Sequence, residues 1–533
     1  MKSESKPRLL DRYLGVRWSD HPGLLLALFG VLGLILVAPV WTVRYPPLID
    51  FPNHLASSFV LAHLHDPRFE FSKYYASNWN LGPYLTMDLI LVGLQAFLPV
   101  MLTARIFLSL CLLAVPPAVW FFLKEANPGE ERLAFWSLLL CSNMFLFLYG
   151  MLNLQLSFAL CFVVLGFWLR YRRNPGPSLW WLLCGLTTAL YFTHIGGFVV
   201  AGVVVTCYLI LGRRPLREIV TSWLLFLPGV ALYSYWKLYD AGAWPIRSWG
   251  MREKIPNLVA VMLGYSPWLD FLTLVVILAC VILACADNPE LRWNKRWLGV
   301  LACLLAMYVL TPAYYGPGMM ADRRLLPFIF VVALAGAKLG RRGRYLVPVA
   351  LLLFMIRTGN VEVNFRSMQP RFEKLSQSFS IVPANIRLFP LIQQTGGKEP
   401  WGGMFWAYGV IQRGWFSPYL FHDKGVQPLR IRVRTYTPAY LYLSESAPGP
   451  PDWRKIQEDY DYIWAYGASG YSRQMASIGK LVLDSEGLRV YQLTNGQTKR
   501  HQKAKDEPTV RQQMVTPEAR SRLDNVPKPS AKR

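Results

Sequence analysis

Apolar residues in this chain gather in long unbroken runs, and the polar stretches between them are short and rich in Arg and Lys. Residues 24–43 and 133–169 contain no Asp, Glu, Lys or Arg. A helix rises about 1.5 Å per residue and the hydrocarbon core of a bilayer is about 30 Å thick, so the first run predicts one crossing and the second must turn back once. The turn is predicted near Tyr149, Gly150 and Asn153. The same arithmetic splits 178–212 around His194, Gly196 and Gly197. Further single spans are predicted over 106–123, 219–236, a run ending near Ala286, 297–312, 325–340 and 345–356.

Basic clusters favour the cytoplasmic side. They occur in the N-terminus and at Arg170 with Arg172 and Arg173, at Arg213 with Arg214 and Arg217, at Arg292 with Lys295 and Arg296, and from Lys338 through Arg344. Keeping the first two on one side needs an even number of crossings between them. The weakest run there, 84–104, contains Asp88 and is bracketed by Gly82-Pro83 and Pro99, so it is read as interfacial or re-entrant. The expected fold class is a polytopic α-helical membrane protein of about eleven transmembrane helices with a small C-terminal extracytoplasmic α/β domain.

The expected organisation is a cytoplasmic N-terminus (1–22), a transmembrane domain (23–358) with an outer loop bearing juxtamembrane helices (44–104), and an extracytoplasmic α/β domain (359–494). A basic tail (495–533), poor in large apolar residues, is expected to be disordered. In the outer domain, strands are predicted at 404–410, 462–466, 480–483 and 488–493, with helices at 452–459 and 472–478.

Composition agrees with a membrane location. Of 533 residues, 53% are apolar and 17% charged, against about 25% charged for soluble proteins. The excess of 56 Lys and Arg over 32 Asp and Glu, net +24, lies between apolar runs and in the tails. It therefore reads as a topology signal facing anionic lipid, and no nucleic-acid partner is expected. The N-terminal apolar run is too long for a signal-peptide core and reads as an uncleaved anchor. The eight cysteines have no metal or redox spacing.

Candidate chemistry collects on the outer side. Asp50 and His54 follow the first crossing, and a partly desolvated carboxylate there can accept a proton. The competing reading is that Asp50 caps a helix beginning near Pro52. Arg323 and Arg324, beside Asp322, suit a phosphate group, or else snorkel to headgroups with Asp322 as partner. His194 sits at an outer turn. His63, His65 and Asp66 do not share one helical face as metal ligands would. Asp88 could face the same cavity or point to water. Trp401 through Trp415 could stack on sugars, or form the core and membrane edge of the outer domain.

A first crossing, an outer loop opening with Asp50 ahead of a helix bearing Asn53 and His54, many spans and an outer C-terminal domain resemble the GT-C superfamily of glycosyltransferases, which includes the protein O-mannosyltransferases and aminoarabinose transferases. Phe51 stands where the family usually has a second acid, and Asn153 where it often has an acidic residue after a Tyr, here Tyr149. The resemblance implies transfer of a sugar from a polyprenyl-phosphate donor to a glycan, lipid or protein acceptor on the outer face of the cytoplasmic membrane. It implies Asp50 as the catalytic residue, with Asn53, His54, Asn153, His194, Asp322, Arg323 and Arg324 binding substrate. It names no organic cofactor and leaves a divalent metal open. The alternatives are a transporter or flippase of lipid-linked glycan, and a non-catalytic assembly partner of the same fold.

Overall fold

The computed structural model describes residues 22–239, 245–286, 291–315, 318–340, 343–393, 400–438, 442–443 and 451–494. The tail and the N-terminal basic segment lie outside them. The described residues divide into two compact units: one takes 22–385 together with 400–434, and the other takes 386–393 and the described residues from 435 to 494.

The first unit is helical. Among the described residues, four helices are long and apolar enough to cross a bilayer: Val100–Ala126, Leu152–Arg173, Pro267–Cys285 and Tyr345–Ile381. A fifth arises if Leu216–Leu224 and Leu227–Tyr239, bent by 57° at their junction, count as one span. Shorter apolar helices include Pro177–Thr193, Ile195–Leu211, Lys295–Leu310 and Leu326–Gly336.

Local sequence explains where these helices begin and turn. Pro177 and Pro267 occupy first-turn positions, where their missing N–H costs nothing. Asn294 caps Lys295–Leu310 by accepting from the amides of Arg296 and Trp297. Around residue 150 the chain folds back as the apolar arithmetic requires. The segment 131–148 is an irregular stack of 3-10, α and π turns, and a regular helix resumes at Leu152. The second turn falls at His194, between Pro177–Thr193 and Ile195–Leu211. Gly197 lets Ile195–Leu211 approach Leu152–Arg173, since a Cβ there would overlap Ser157. The segment 84–104 is broken, with a ten-residue helix Thr86–Gln95 that buries Asp88 in its first turn.

Two expectations differ from what is observed. The last long helix does not stop near 356 but runs on from Gly343 to Ser376, about 51 Å at 1.5 Å per residue. Residues 404–410, read as a strand, instead precede and begin the helix Ala407–Arg413. Their aromatic side chains pack in the first unit, where Tyr45 lies against Phe405 and Tyr408 at 5.0 and 4.9 Å.

The second unit is a five-stranded sheet. Its order is Gly479–Ser485, Leu488–Leu493, Tyr462–Tyr466, Leu388–Gln393 and Tyr442–Leu443. The first two junctions are antiparallel and the last two parallel. Helices Trp453–Asp459 and Ser472–Ile478 accompany it. Tyr462–Tyr466 is buried along its whole length, as a central strand should be.

Candidate functional site

Asp50 ends a buried loop, with Tyr45, Leu48 and Ile49 beneath the surface, and precedes the helix Phe51–Ala62. It holds the capping position, but its side chain makes no capping hydrogen bond, which leaves the carboxylate for other partners. Two backbone bonds pin this loop to the turn near 150: Ile49 N–H donates to Leu148 O (3.1 Å) and Asp50 N–H to Tyr149 O (3.0 Å). Gly150 makes the docking feasible. Its φ is +92°, and a Cβ there would stand 2.8 Å from Phe51 N and 3.2 Å from Asp50 Cβ.

Arg324 lies on the short turn Arg323–Leu325. Asp322 Oδ1 accepts from the Arg323 amide (2.9 Å), fixing the start of that turn. Asp322 Oδ2 is fully buried on Lys254 Nζ at 2.8 Å, and Lys254 also donates to the carbonyls of Tyr308 (3.3 Å) and Thr311 (2.5 Å). Arg323 turns away to Glu253 at 2.6 Å. The Arg-Arg pair expected to hold one phosphate therefore divides. Arg324 reaches the neighbourhood of Asp50, and Arg323 binds its own carboxylate.

The Arg324 guanidinium lies within electrostatic reach of Asp50, Tyr84, Tyr149 and His194. Crowding protein pushes the Asp50 carboxyl up to about 7, against a smaller downward pull from Arg324. The residue is only half-buried, so the carboxyl combines a desolvated setting with access. Burial raises the Tyr149 phenol to about 12, aided by Asp50, and pushes Tyr84 higher still. Burial lowers Arg324, but a guanidinium starts so high that it keeps its charge.

Tyr84 has φ +77°, a left-handed conformation costly for a bulky residue, of the kind that gathers at functional sites. Asn153 holds it there. Asn153 Nδ2 donates to Tyr84 O (2.8 Å) and Oδ1 accepts from Met87 N–H (2.9 Å). The Tyr84 ring meets His194 edge-on at 4.7 Å. His194 Nδ1 accepts from Gly196 N–H (2.9 Å) and caps the following helix, so its proton resides on Nε2. Burial, then Arg324, lowers its basicity well below that of a free imidazole.

The remaining sequence candidates make the following contacts. Asn53, fully buried, donates to Tyr419 O (2.8 Å) and accepts from Phe421 N–H (2.9 Å), tying the helix to the 419–421 segment. His54 packs on Phe421 at 4.6 Å, and burial lowers it to about 4. Asp66 is held by Arg68 at 2.6 Å with His63 at 3.5 Å. Among the described residues, no three His, Cys, Asp or Glu side chains come together as metal ligands would.

Sequence reasoning did not find Tyr84 as a member of this group, nor Lys254 as the partner of Asp322. The Gly82-Pro83 dipeptide signals the turn before Tyr84, but nothing local signals its handedness. The arrangement combines a carboxyl near neutrality with a buried cation whose field also reaches the phenols of Tyr84 and Tyr149. The sequence matches no family model and no curated protein.

Proposed function

We propose that this chain is a GT-C-like membrane glycosyltransferase that takes a sugar from a polyprenyl-phosphate donor and passes it to an acceptor on the outer face of a cytoplasmic membrane. One observation carries the reading: Asp50, with its carboxyl near 7, is tied to the Tyr149 backbone and stands within the field of Arg324, a field that Tyr84, Tyr149 and His194 share. In the transfer step the acceptor hydroxyl gives its proton to Asp50 while its oxygen bonds to the anomeric carbon. The bond from that carbon to the phosphate oxygen breaks. Negative charge grows on the departing phosphate, where Arg324 stabilises the transition state more than the ground state.

The proposed topology has eleven crossings: Pro22–Trp41, Val100–Ala126, 131–148, Leu152–Arg173, Pro177–Thr193, Ile195–Leu211, the bent pair 216–239, Pro267–Cys285, Lys295–Leu310, Leu326–Gly336 and the first part of Gly343–Ser376. Helices Phe51–Ala62 and Thr86–Gln95 stay on the outer side. This puts the N-terminus in the cytoplasm, the sheet unit outside, and Asp50, Tyr84, Tyr149, His194 and Arg324 on the outer ends of their elements.

A second reading, a non-catalytic assembly partner, is favoured by Asn153, whose amide is engaged at both ends where an acid would otherwise act. A transfer assay with reconstituted protein and polyprenyl-phosphate sugars separates the two. Turnover lost in Asp50→Asn supports the transferase, and binding of the donor without turnover supports the partner.

A further inference from the structure

The helical unit also holds a polar cleft of about 510 Å³, lined by Asn78, His422, Asp423, Lys424 and Arg430, with Ile431 as the one large apolar side chain in its wall. This volume falls in the range of small-molecule sites, about 300–1,000 Å³. At about 30 Å³ for a group of water size it holds about seventeen such groups, more than one sugar ring requires.

A short ladder and a tight loop build the wall. Ala76 pairs with Arg430 and Ser77 with Leu429, and the Asn78 N–H extends the ladder to Pro428 O (2.7 Å). Alternation along the strand puts Asn78, two residues beyond Ala76, on the same face as Arg430. The loop closes where Val426 and Gln427 N–H donate to Asp423 O (3.0 and 3.2 Å). Arg430 Nη1 reaches across it to the carbonyls of Gln427 (2.6 Å) and His422 (3.3 Å), so this nitrogen belongs to the frame. Two links fix the cleft beside the Asp50 site. Phe421, whose amide is bound by Asn53, directly precedes His422. Gly425 O accepts from Trp236 Nε1 (2.6 Å), and Gly82, two residues before Tyr84, fits so closely that a Cβ there would stand 2.7 Å from both atoms.

The groups facing the cleft are both donors and acceptors. His422 Nδ1 lies 2.7 Å from Leu420 O, which can only accept, so Nδ1 carries a proton and the neutral ring offers its Nε2 lone pair. Asp423 accepts, Lys424 donates and the Asn78 amide does both. Among the described residues, neither Asp423 nor Lys424 has an ion-pair partner. A simple anion would meet Asp423, a simple cation would meet Lys424, and a lipid tail would find one large apolar side chain. A neutral hydroxyl, which donates and accepts at once, matches the set.

We propose that this cleft binds a neutral saccharide, and that during transfer it holds the acceptor glycan behind the hydroxyl that reacts at Asp50. The acceptor role rests on the transferase reading; saccharide binding does not.

The test uses full-length protein in nanodiscs and saturation-transfer NMR with the methyl glycosides of glucose, galactose, mannose and N-acetylglucosamine, with empty nanodiscs as the blank. Ring protons of at least one glycoside should receive saturation from the protein. Asp423→Ala with Lys424→Ala removes two charged partners of its hydroxyls and should weaken its binding on the order of tenfold. Both residues are exposed, so thermal unfolding should stay unchanged. No saturation of any glycoside, or an affinity that the double variant leaves unaltered, would overturn the proposal. So would displacement of the glycoside by inorganic phosphate or by glycerophosphocholine, which would mark an anion site or a headgroup site. In the polyprenyl-phosphate assay the double variant should raise the KM for acceptor on the order of tenfold. Turnover with an unchanged acceptor KM would sink the acceptor role alone, whereas glycoside binding by wild type without turnover would sink the transferase and leave the saccharide site standing.

Discussion

Replacing Asp50 by Asn removes the ionisation and keeps the shape, so it isolates what burial of that carboxyl costs. In the folded chain the group titrates near 7, against 3.8 when free. About three pK units at 1.36 kcal/mol each give about 4 kcal/mol, and partial exposure to solvent reduces this to about 2–4 kcal/mol. Because the folded carboxyl has the higher value, the folded state holds a proton that the unfolded state has lost between these two pH values. Stability from this group is therefore fully present below about pH 4, falls as pH rises, and is gone above about pH 7. Asp50→Asn does not titrate. Thermal or denaturant unfolding of both proteins in nanodiscs, from about pH 4 to about pH 8, should show the variant gaining about 2–4 kcal/mol on wild type across the window. All other groups cancel in that difference. A gap that stays constant with pH would refute a desolvated, neutral-range Asp50, and with it the base proposed for the acceptor hydroxyl.

Donor turnover should rise with pH through a midpoint near 7, and Arg324→Met should move that midpoint upward because the cation that favours the carboxylate is gone; a midpoint unaffected by Arg324 would place the two groups out of reach. Gly150→Ala forces a side chain into φ +92° and onto the Phe51 amide, which should cost about 2–4 kcal/mol in unfolding free energy and lower turnover by displacing Asp50. Lys254→Met strands the buried Asp322 carboxylate and should cost about 3–5 kcal/mol, with Lys254→Met and Asp322→Asn together recovering part of it; additive losses would contradict their coupling. Asn53→Ala should lose about 1–3 kcal/mol by releasing the Tyr419 and Phe421 backbone groups, measured by the same unfolding assay.

What the chain discloses on inspection is the part governed by short-range rules. The length of an apolar run against bilayer thickness locates the turns at Tyr149–Gly150 and at His194, and the same pattern singles out the loop of Asp50. Alternating apolar residues and short polar punctuation place the strands at 462–466 and 488–493 and the two helices of the sheet unit. Residues 404–410 misled because their aromatic content favours a strand in isolation. Packing of Phe405 and Tyr408 on Tyr45, more than 350 residues earlier, decides otherwise. The division of labour between Arg323 and Arg324 was equally hidden. It depends on Glu253 and Lys254, about 70 residues away, and on a buried ion pair that no local pattern announces. The resemblance implies Asn153 as a substrate ligand. The structure adds that its amide donates to Tyr84 O at a left-handed turn, a contact visible only once two distant segments are brought together.

The central claim is that Asp50 is the base of a sugar transfer from a polyprenyl-phosphate donor. The most direct test reconstitutes wild type and Asp50→Asn in nanodiscs and supplies a panel of radiolabelled polyprenyl-phosphate sugars with a membrane extract as acceptor. Label should move from donor to acceptor with wild type and not with Asp50→Asn, while both proteins bind donor and unfold cooperatively. Transfer that persists in Asp50→Asn, or donor binding without turnover of any sugar by wild type, would contradict it.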